Sequence, residues 1–155
     1  MLHIIRASVL ASLALSSTAT VPAVSAQAAS APQIAGIWEA EDGRMKIEMF
    51  DAGGVYAGRL LWGQRAVEAD GKTFKRDTHN PDPKLRNRSL QGITILQNLK
   101  WDEKDRRWEG GSLYDGTSGR SISAHLRLVN GKLEMRAYMG SPMLGRTLTF
   151  RRAPG

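Results

Sequence analysis

Residue types capable of chemistry gather in one stretch, where Asp77, His79 and Asp82 fall within DTHNPDPKLRNRSLQG. Ser112, Asp115, Ser121, Ser123 and His125 follow further along. These types would supply the nucleophile, base and orienting carboxylate of a hydrolytic triad, but the sequence has no G-x-S-x-G turn to expose a serine nucleophile. Asp77, His79 and Asp82 have a spacing that would suit a metal on a loop. Zinc, however, normally takes more imidazole or thiolate than His79 and His125 supply, and the chain has no cysteine. The expectation is therefore a protein that is not an enzyme, with no catalytic residue, no metal and no cofactor. The lack of cysteine also removes disulfides, so packing must hold the fold together.

The same stretch is basic and stiff. From Gly63 to Gly92, Arg65, Lys72, Lys75, Arg76, Lys84, Arg86 and Arg88 face only Glu68, Asp70, Asp77 and Asp82. Arg86 and Arg88 are candidates to hold an anionic headgroup, because a guanidinium makes paired bonds to carboxylate or phosphate; a solvated basic rim is the plainer alternative. Pro81 and Pro83 restrict Asn80 and Asp82 to extended backbone. Between Trp62 and Gly92 no hydrophobic period is visible, and a connection this long in a compact domain is usually a lid or binding loop. It is expected to cap a mouth, either as a gate for ligand or as a mechanical plug.

The elements that must carry this loop are strands. Met45, Ile47 and Met49 alternate with Lys46 and Glu48; Ile122, Ala124, Leu126 and Leu128 alternate with Ser121, Ser123, His125 and Arg127. Leu133, Met135, Ala137 and Met139 do the same, and Ile93, Ile95, Leu99 and Trp101 share one parity. Period two places alternate side chains on one face of a strand. Asp115-Gly116 and Asn130-Gly131 are tight-hairpin signals, so neighbours in sequence should pair antiparallel. Strands are expected near 34–41, 44–50, 54–62, 92–101, 106–114, 120–129, 132–139 and 145–152. Eight one-sided strands bury their apolar faces by closing into an all-β, up-and-down antiparallel β-barrel or by stacking as a sandwich, and the hairpins favour the barrel. Met45, Met49, Met135, Met139 and Met143 would then line a deformable cavity or fill the core.

The first residues read differently. Arg6, an apolar run from Ala7 to Leu15, and small residues up to Val24-Ser25-Ala26 have the order of a secretory signal peptide cut after Ala26. Residues 1–26 are thus expected to be a leader and 27–155 a single domain, periplasmic or secreted. The run is too short to cross a bilayer, which takes roughly 20 apolar residues, so no membrane span is expected. The full chain has net charge +7, of which the leader carries only Arg6. A basic exported protein meets anionic envelope surfaces before it meets nucleic acid, so no nucleic-acid partner is expected.

Gly36-Ile37-Trp38, DTHNPDP at 77–83, Leu85-Arg86, WEGGSLYDGTSG at 108–119 and LEMRAYMGSPMLGRTLTFRR at 133–152 occur in that order. On these motifs the sequence resembles an exported bacterial family, domain of unknown function 2147 (DUF2147), over essentially all of the mature chain. The resemblance implies a lipocalin-like barrel without an established activity; together with the strand alternation and the long loop, it leads to the expectation of a binder of a small hydrophobic or amphipathic molecule. A non-catalytic envelope scaffold with a filled core is the alternative, and a weak hydrolase or metal-dependent enzyme a third. Trp38 would close one barrel end beneath Arg146 or Arg151, a cation–π contact of about 0.5 to 2 kcal/mol. Tyr114 with Asp115, and Arg136 with Tyr138, are placed to meet the loop and join Asp82, Arg86 and Arg88 as candidate ligand-binding residues; alternatively, Asp82 or Asp115 would pair with Arg86 or Arg136 and lock the loop down. Gly110, Gly111 and Gly140 would permit close backbone approach, with Gly36, Asn80, Pro81, Pro83 and Gly145 also structural. Ile122 and Ala124 stand where the family usually has Tyr and Cys, and Phe150 where it has Trp, which removes any redox role for that cysteine.

Overall fold

The computed structural model describes residues 31–154, so the expected leader lies outside the described residues. Eight strands form a closed barrel: β1 (Gly36–Ala40), β2 (Met45–Asp51), β3 (Tyr56–Gly63), β4 (Thr94–Asp102), β5 (Arg107–Asp115), β6 (Arg120–Val129), β7 (Lys132–Tyr138) and β8 (Arg146–Arg152). Each pairs antiparallel with the next, and β8 returns to β1 through Glu39 opposite Arg151. Closure satisfies the edge hydrogen bonds that a sandwich would leave exposed. Short 3-10 turns at Ala31–Ile34, Pro83–Leu85 and Pro142–Leu144 interrupt the strand pattern. The first of these takes Ile34 out of the strand expected to begin there. The Trp38 indole N–H donates to the Ile34 carbonyl at 2.8 Å and ties that turn to the barrel.

An up-and-down order sorts the connections between two ends. The β1–β2, β3–β4, β5–β6 and β7–β8 connections share one end, here called the rim; the amino-terminal turn, the remaining hairpins and the end of β8 share the other. Between them the interior is filled. Trp38, Ile47, Met49, Leu96, Leu99, Trp108, Leu126, Leu133, Met135 and Phe150 are fully buried in one cluster. Met49 and Met135 are therefore core, whereas Met139 and Met143 are exposed. Inward glycines leave no hole: a Cβ on Gly58 would sit 2.9 Å from Met49 Sδ, and one on Gly111 2.5 Å from Leu99 Cδ2.

Two sequence expectations change. Ile93, Ile95, Leu99 and Trp101 do not share one face, because the alternation slips within β4: Leu96 and Leu99, three apart, are both in the core. Asn98 adopts φ 61°, and Gly110 on β5 adopts φ 70°, so both strands turn through the left-handed region where the slip occurs. Nor is the cation over Trp38 Arg146 or Arg151. Arg152 lies 4.3 Å from the ring centroid, donates to the Ala35 carbonyl at 2.8 Å and also bonds the Gln33 carbonyl. Residue 152 shares the inward parity of Phe150; Arg151 points outward to Glu39 at 3.5 Å, and Arg146 is at the rim end of β8 opposite Ala137.

Candidate functional site

The long connection is ordered by its own hydrogen bonds. Val67 bridges Phe74 and Arg76 bridges Ser89, while the Lys75 N–H donates to the Ala66 carbonyl and the Leu90 N–H to the Lys75 carbonyl. The Trp62 indole donates to the Gly71 carbonyl at 3.0 Å. Asp82 caps the 3-10 turn by accepting from the Lys84 N–H at 2.9 Å, which the proline-restricted extended backbone at Asp82 allows.

A buried polar cluster fastens this connection to the barrel. Asp77 is 0% exposed, and its Oδ1 accepts from the Tyr114 hydroxyl at 2.5 Å. Its Oδ2 accepts from Asn80 Nδ2 at 2.8 Å and from Arg88 Nε and Nη2, both at 2.8 Å. Asn80 Nδ2 also reaches the Tyr114 hydroxyl at 3.1 Å, and the Asp77 N–H donates to the Arg88 carbonyl at 3.0 Å. A buried carboxylate is tolerated only when paired and hydrogen-bonded, and here it has a guanidinium and two neutral donors. Burial and the hydroxyl's bond to Asp77 push the Tyr114 phenol up to about 12. The phenol therefore stays protonated and donating throughout the physiological range.

The parity of Tyr114 decides where the connection lies. Leu113 pairs with the core residue Leu96, so Tyr114 points to the outside of the wall. Ile95, also outward beside Leu96, is nevertheless buried, as are Leu90, Ala66 and Val67 of the connection. The connection thus meets the outer face of the wall at Tyr114, while Ala66 and Leu90 join the same apolar cluster as the barrel interior beside the rim. Its fit against the β5–β6 turn is close: a Cβ on Gly119 would collide with the His79 carbonyl oxygen, and one on Gly116 with Leu90.

Several pairings expected from sequence are replaced. Arg86 Nε donates to the Asn80 carbonyl at 2.8 Å, so it braces the turn rather than pairing with Asp82 or Asp115. Arg88, a candidate for holding an anionic headgroup, directs two donors to Asp77. Asp115 accepts from Thr117 and Ser118 within its own turn and meets Arg65 at 3.4 Å. Burial works to raise the Asp115 pKa, but those hydroxyls, the Thr117 N–H and Arg65 outweigh it and hold the carboxyl below its usual range. Arg136 and Tyr138 do not meet the long connection. Arg136 bonds the Pro142 and Met143 carbonyls and Thr147, while Tyr138 packs beside His125 with ring centroids 5.7 Å apart. Gly140 has no close neighbour for a Cβ and serves through φ 73°; Gly145 is the tight approach, where a Cβ would sit 2.7 Å from the Ala137 carbonyl oxygen.

The triad types are not assembled around a serine. His125 packs on Tyr138, and burial followed by the nearby Arg107 lowers its pKa. Among the described residues no group of three or more His, Asp or Glu side chains converges to hold a metal. The Asp77–Arg88 pair escaped the sequence reading because its partners are eleven positions apart in a stretch without periodicity. The local signal beside it was the Asn80-Pro81 step, which favours a turn.

The rim itself is apolar on the side of β5, β6 and β7. Leu113 and Ile122 pair across β5 and β6 on the inward face and are only partly buried, although Leu96 beside them is sealed. Met139 continues the inward parity of Leu133, Met135 and Ala137 one step past β7 and is 68% exposed. Two clefts lie elsewhere. One of about 240 Å³ at the opposite end is lined by Trp101, Trp108, Arg106 and Arg127; one of about 330 Å³ is lined by Glu39, Met45, Lys46 and Trp62. The indole N–H groups of Trp101 and Trp108 have no acceptor among the described residues.

Comparison with known proteins agrees with this architecture. A Helicobacter pylori protein, described as belonging to the lipocalin family, superposes with a TM-score of 0.65 at 26% identity, covering 78% of this chain and 83% of the other. The chain therefore has a lipocalin-like barrel. No curated protein sequence matches it. The family model described as "Uncharacterized protein conserved in bacteria (DUF2147)" matches residues 36–152, all eight strands and the clamped connection between them, and the chain belongs to that family.

Proposed function

We propose that this protein is a non-catalytic binder of a small hydrophobic or amphipathic molecule, received at the barrel rim rather than deep inside. The observation that carries this reading is the contrast along the inward face. Below the level of Leu96 the interior is sealed, while Leu113, Ile122 and Met139 present an apolar, partly open surface at the mouth. The lipocalin-like fold supports the same class of ligand, since such barrels hold one small molecule at or within the open end. A tail resting on these side chains gains about 0.8 kcal/mol per buried methylene. Affinity should therefore follow chain length.

Asp77, Asn80, Tyr114 and Arg88 hold one wall of that mouth, and their role is positioning. The leader motif at residues 1–26 supports action outside the cytoplasm, in the periplasm or secreted. A mature mass beginning at Gln27 would test that part directly.

The binding test is displacement of the apolar probe N-phenyl-1-naphthylamine by fatty acids of increasing length. We expect affinity to rise with length and to fall about tenfold in Ile122→Gln, the loss of one apolar side chain from the site. No probe binding, with the fold intact, would favour the rival reading, an envelope scaffold with a filled core, which draws on the same sealed interior.

A further inference from the structure

The β7–β8 connection has features that the mouth does not require. Met143 and Leu144 are 88% and 83% exposed at its tip. The two are adjacent in sequence, and the tip that carries them is fastened. Its 3-10 turn is capped by Ser141, whose hydroxyl accepts from the Met143 N–H at 3.3 Å, and the Gly145 N–H donates back to the Pro142 carbonyl at 3.2 Å. Arg136 spans the base of the turn, donating to the Pro142 carbonyl at 2.8 Å, the Met143 carbonyl at 3.2 Å and Thr147 Oγ1 at 2.9 Å. Gly145 lies too close to the Ala137 carbonyl for any side chain. The backbone is thus held so that both apolar side chains stand out from the barrel.

The charge around the tip is one-sided. From Met135 to Gly155 the sequence has no acidic residue, and Arg136 and Arg146 flank the tip on either side. Arg146 is exposed and makes no ion pair or side-chain hydrogen bond among the described residues. A convex apolar tip flanked by two guanidinium groups, Arg146 free among the described residues and Arg136 braced beneath the turn, complements a bilayer with anionic headgroups: apolar side chains enter the acyl boundary while the cations stay at headgroup level. A protein partner would need a matching pocket, and nothing in the convex shape of the tip calls for one.

The geometry points to the Met143-Leu144 tip as a wedge that docks the rim end of the barrel onto an anionic lipid surface. This surface is separate from Leu113, Ile122 and Met139, and the proposal stands whether or not the mouth takes a ligand. Docking by this tip would set the mouth against the bilayer.

The test uses the mature chain with vesicles of phosphatidylglycerol and phosphatidylcholine, read by co-sedimentation. Wild type should partition onto vesicles containing phosphatidylglycerol about tenfold more strongly than onto pure phosphatidylcholine, and the difference should shrink in high salt. The double variant Met143→Ser, Leu144→Ser should lose about 100-fold in partitioning, the loss expected when two large side chains no longer leave water. Both positions are exposed, so its circular dichroism and melting should match wild type, and N-phenyl-1-naphthylamine binding at the mouth should persist. Arg146→Gln should weaken anionic binding severalfold and leave phosphatidylcholine unaffected. Failure of wild type to bind anionic vesicles, or equal binding by the double variant, overturns the proposal. So does sedimentation showing that the tip pairs two copies of the chain without lipid.

Discussion

Replacing Asp77 with Ala removes the acceptor on which three side chains converge. Asn80, itself buried, would be left with an unpaired donor, the part-buried Tyr114 hydroxyl would lose its acceptor, and Arg88 would have a guanidinium facing no carboxylate. Breaking a buried pair by deleting one partner typically costs about 3 to 5 kcal/mol. The Arg88 side chain is 37% exposed and can rehydrate, which brings the expected loss to about 2 to 4 kcal/mol. Asp77→Asn keeps the volume and one acceptor oxygen and should lose about half as much. Urea unfolding at constant m reports the global loss, and hydrogen exchange reports where it falls. Amides of residues 64–93 should exchange about 100-fold faster in Asp77→Ala, the equivalent of roughly 3 kcal/mol, while the amides of β6 and β7 change less. Asp70, fully exposed with its carboxyl held below the usual range by the Thr73 hydroxyl, provides the control, and Asp70→Ala should leave exchange at Tyr114 unchanged. A loss below about 1 kcal/mol for Asp77→Ala, with exchange in 64–93 unaltered, would refute the claim that this carboxylate fastens the connection.

Three further outcomes follow from the same geometry. Arg152→Ala should cost about 1 to 2 kcal/mol in chemical denaturation through loss of the Trp38 contact and two carbonyl bonds, whereas Arg151→Ala, losing an exposed ion pair, should cost less than about 0.5 kcal/mol; the reverse order would contradict the inward parity of β8. Gly119→Ala places a methyl against the His79 carbonyl at φ 71° and should destabilise by more than about 2 kcal/mol, while Gly92→Ala, at φ 69° in open space, should cost only about 1 kcal/mol in the same melts. Tyr114, raised to about 12, favours folding below pH 10, and that contribution should fade as pH rises from 10 to 12. It amounts to about 2.7 kcal/mol at most, and the partly exposed rim position reduces it to roughly 1 kcal/mol. Burial and Asp51 also push the Tyr56 phenol up, so absorbance at 295 nm should show more than one late phenol, of which Tyr114→Phe removes the one near pH 12. An ordinary titration near pH 10 would contradict the bond to Asp77.

How much was legible in the sequence depends on the range of the interaction. Strand alternation and Asn-Gly or Asp-Gly turns are local signals, and they were enough to place eight antiparallel strands, because a period-two stretch has one face to bury and a two-residue turn leaves one neighbour to pair with. The stiffness of Asn80-Pro81-Asp82-Pro83 was equally local. Contacts between distant segments were not legible. Whether residue 146, 151 or 152 covers Trp38 depends on the register of β8 against β1, and the slip at Asn98 depends on a left-handed residue on each of two strands. Tyr114 could be placed near the connection by motif, but its outward parity, and hence the attachment of the connection to the outside of the wall, required the pairing of Leu113 with Leu96. The sequence by itself determined eight antiparallel strands in up-and-down order and the proline-bearing basic segment, since both follow from neighbours along the chain, whereas closure into a barrel in place of a sandwich was decided by the pairing of β1 with β8. Only the tertiary structure decided that Asp77 fastens that segment and that the interior is full, because each depends on side chains brought together from strands far apart in sequence.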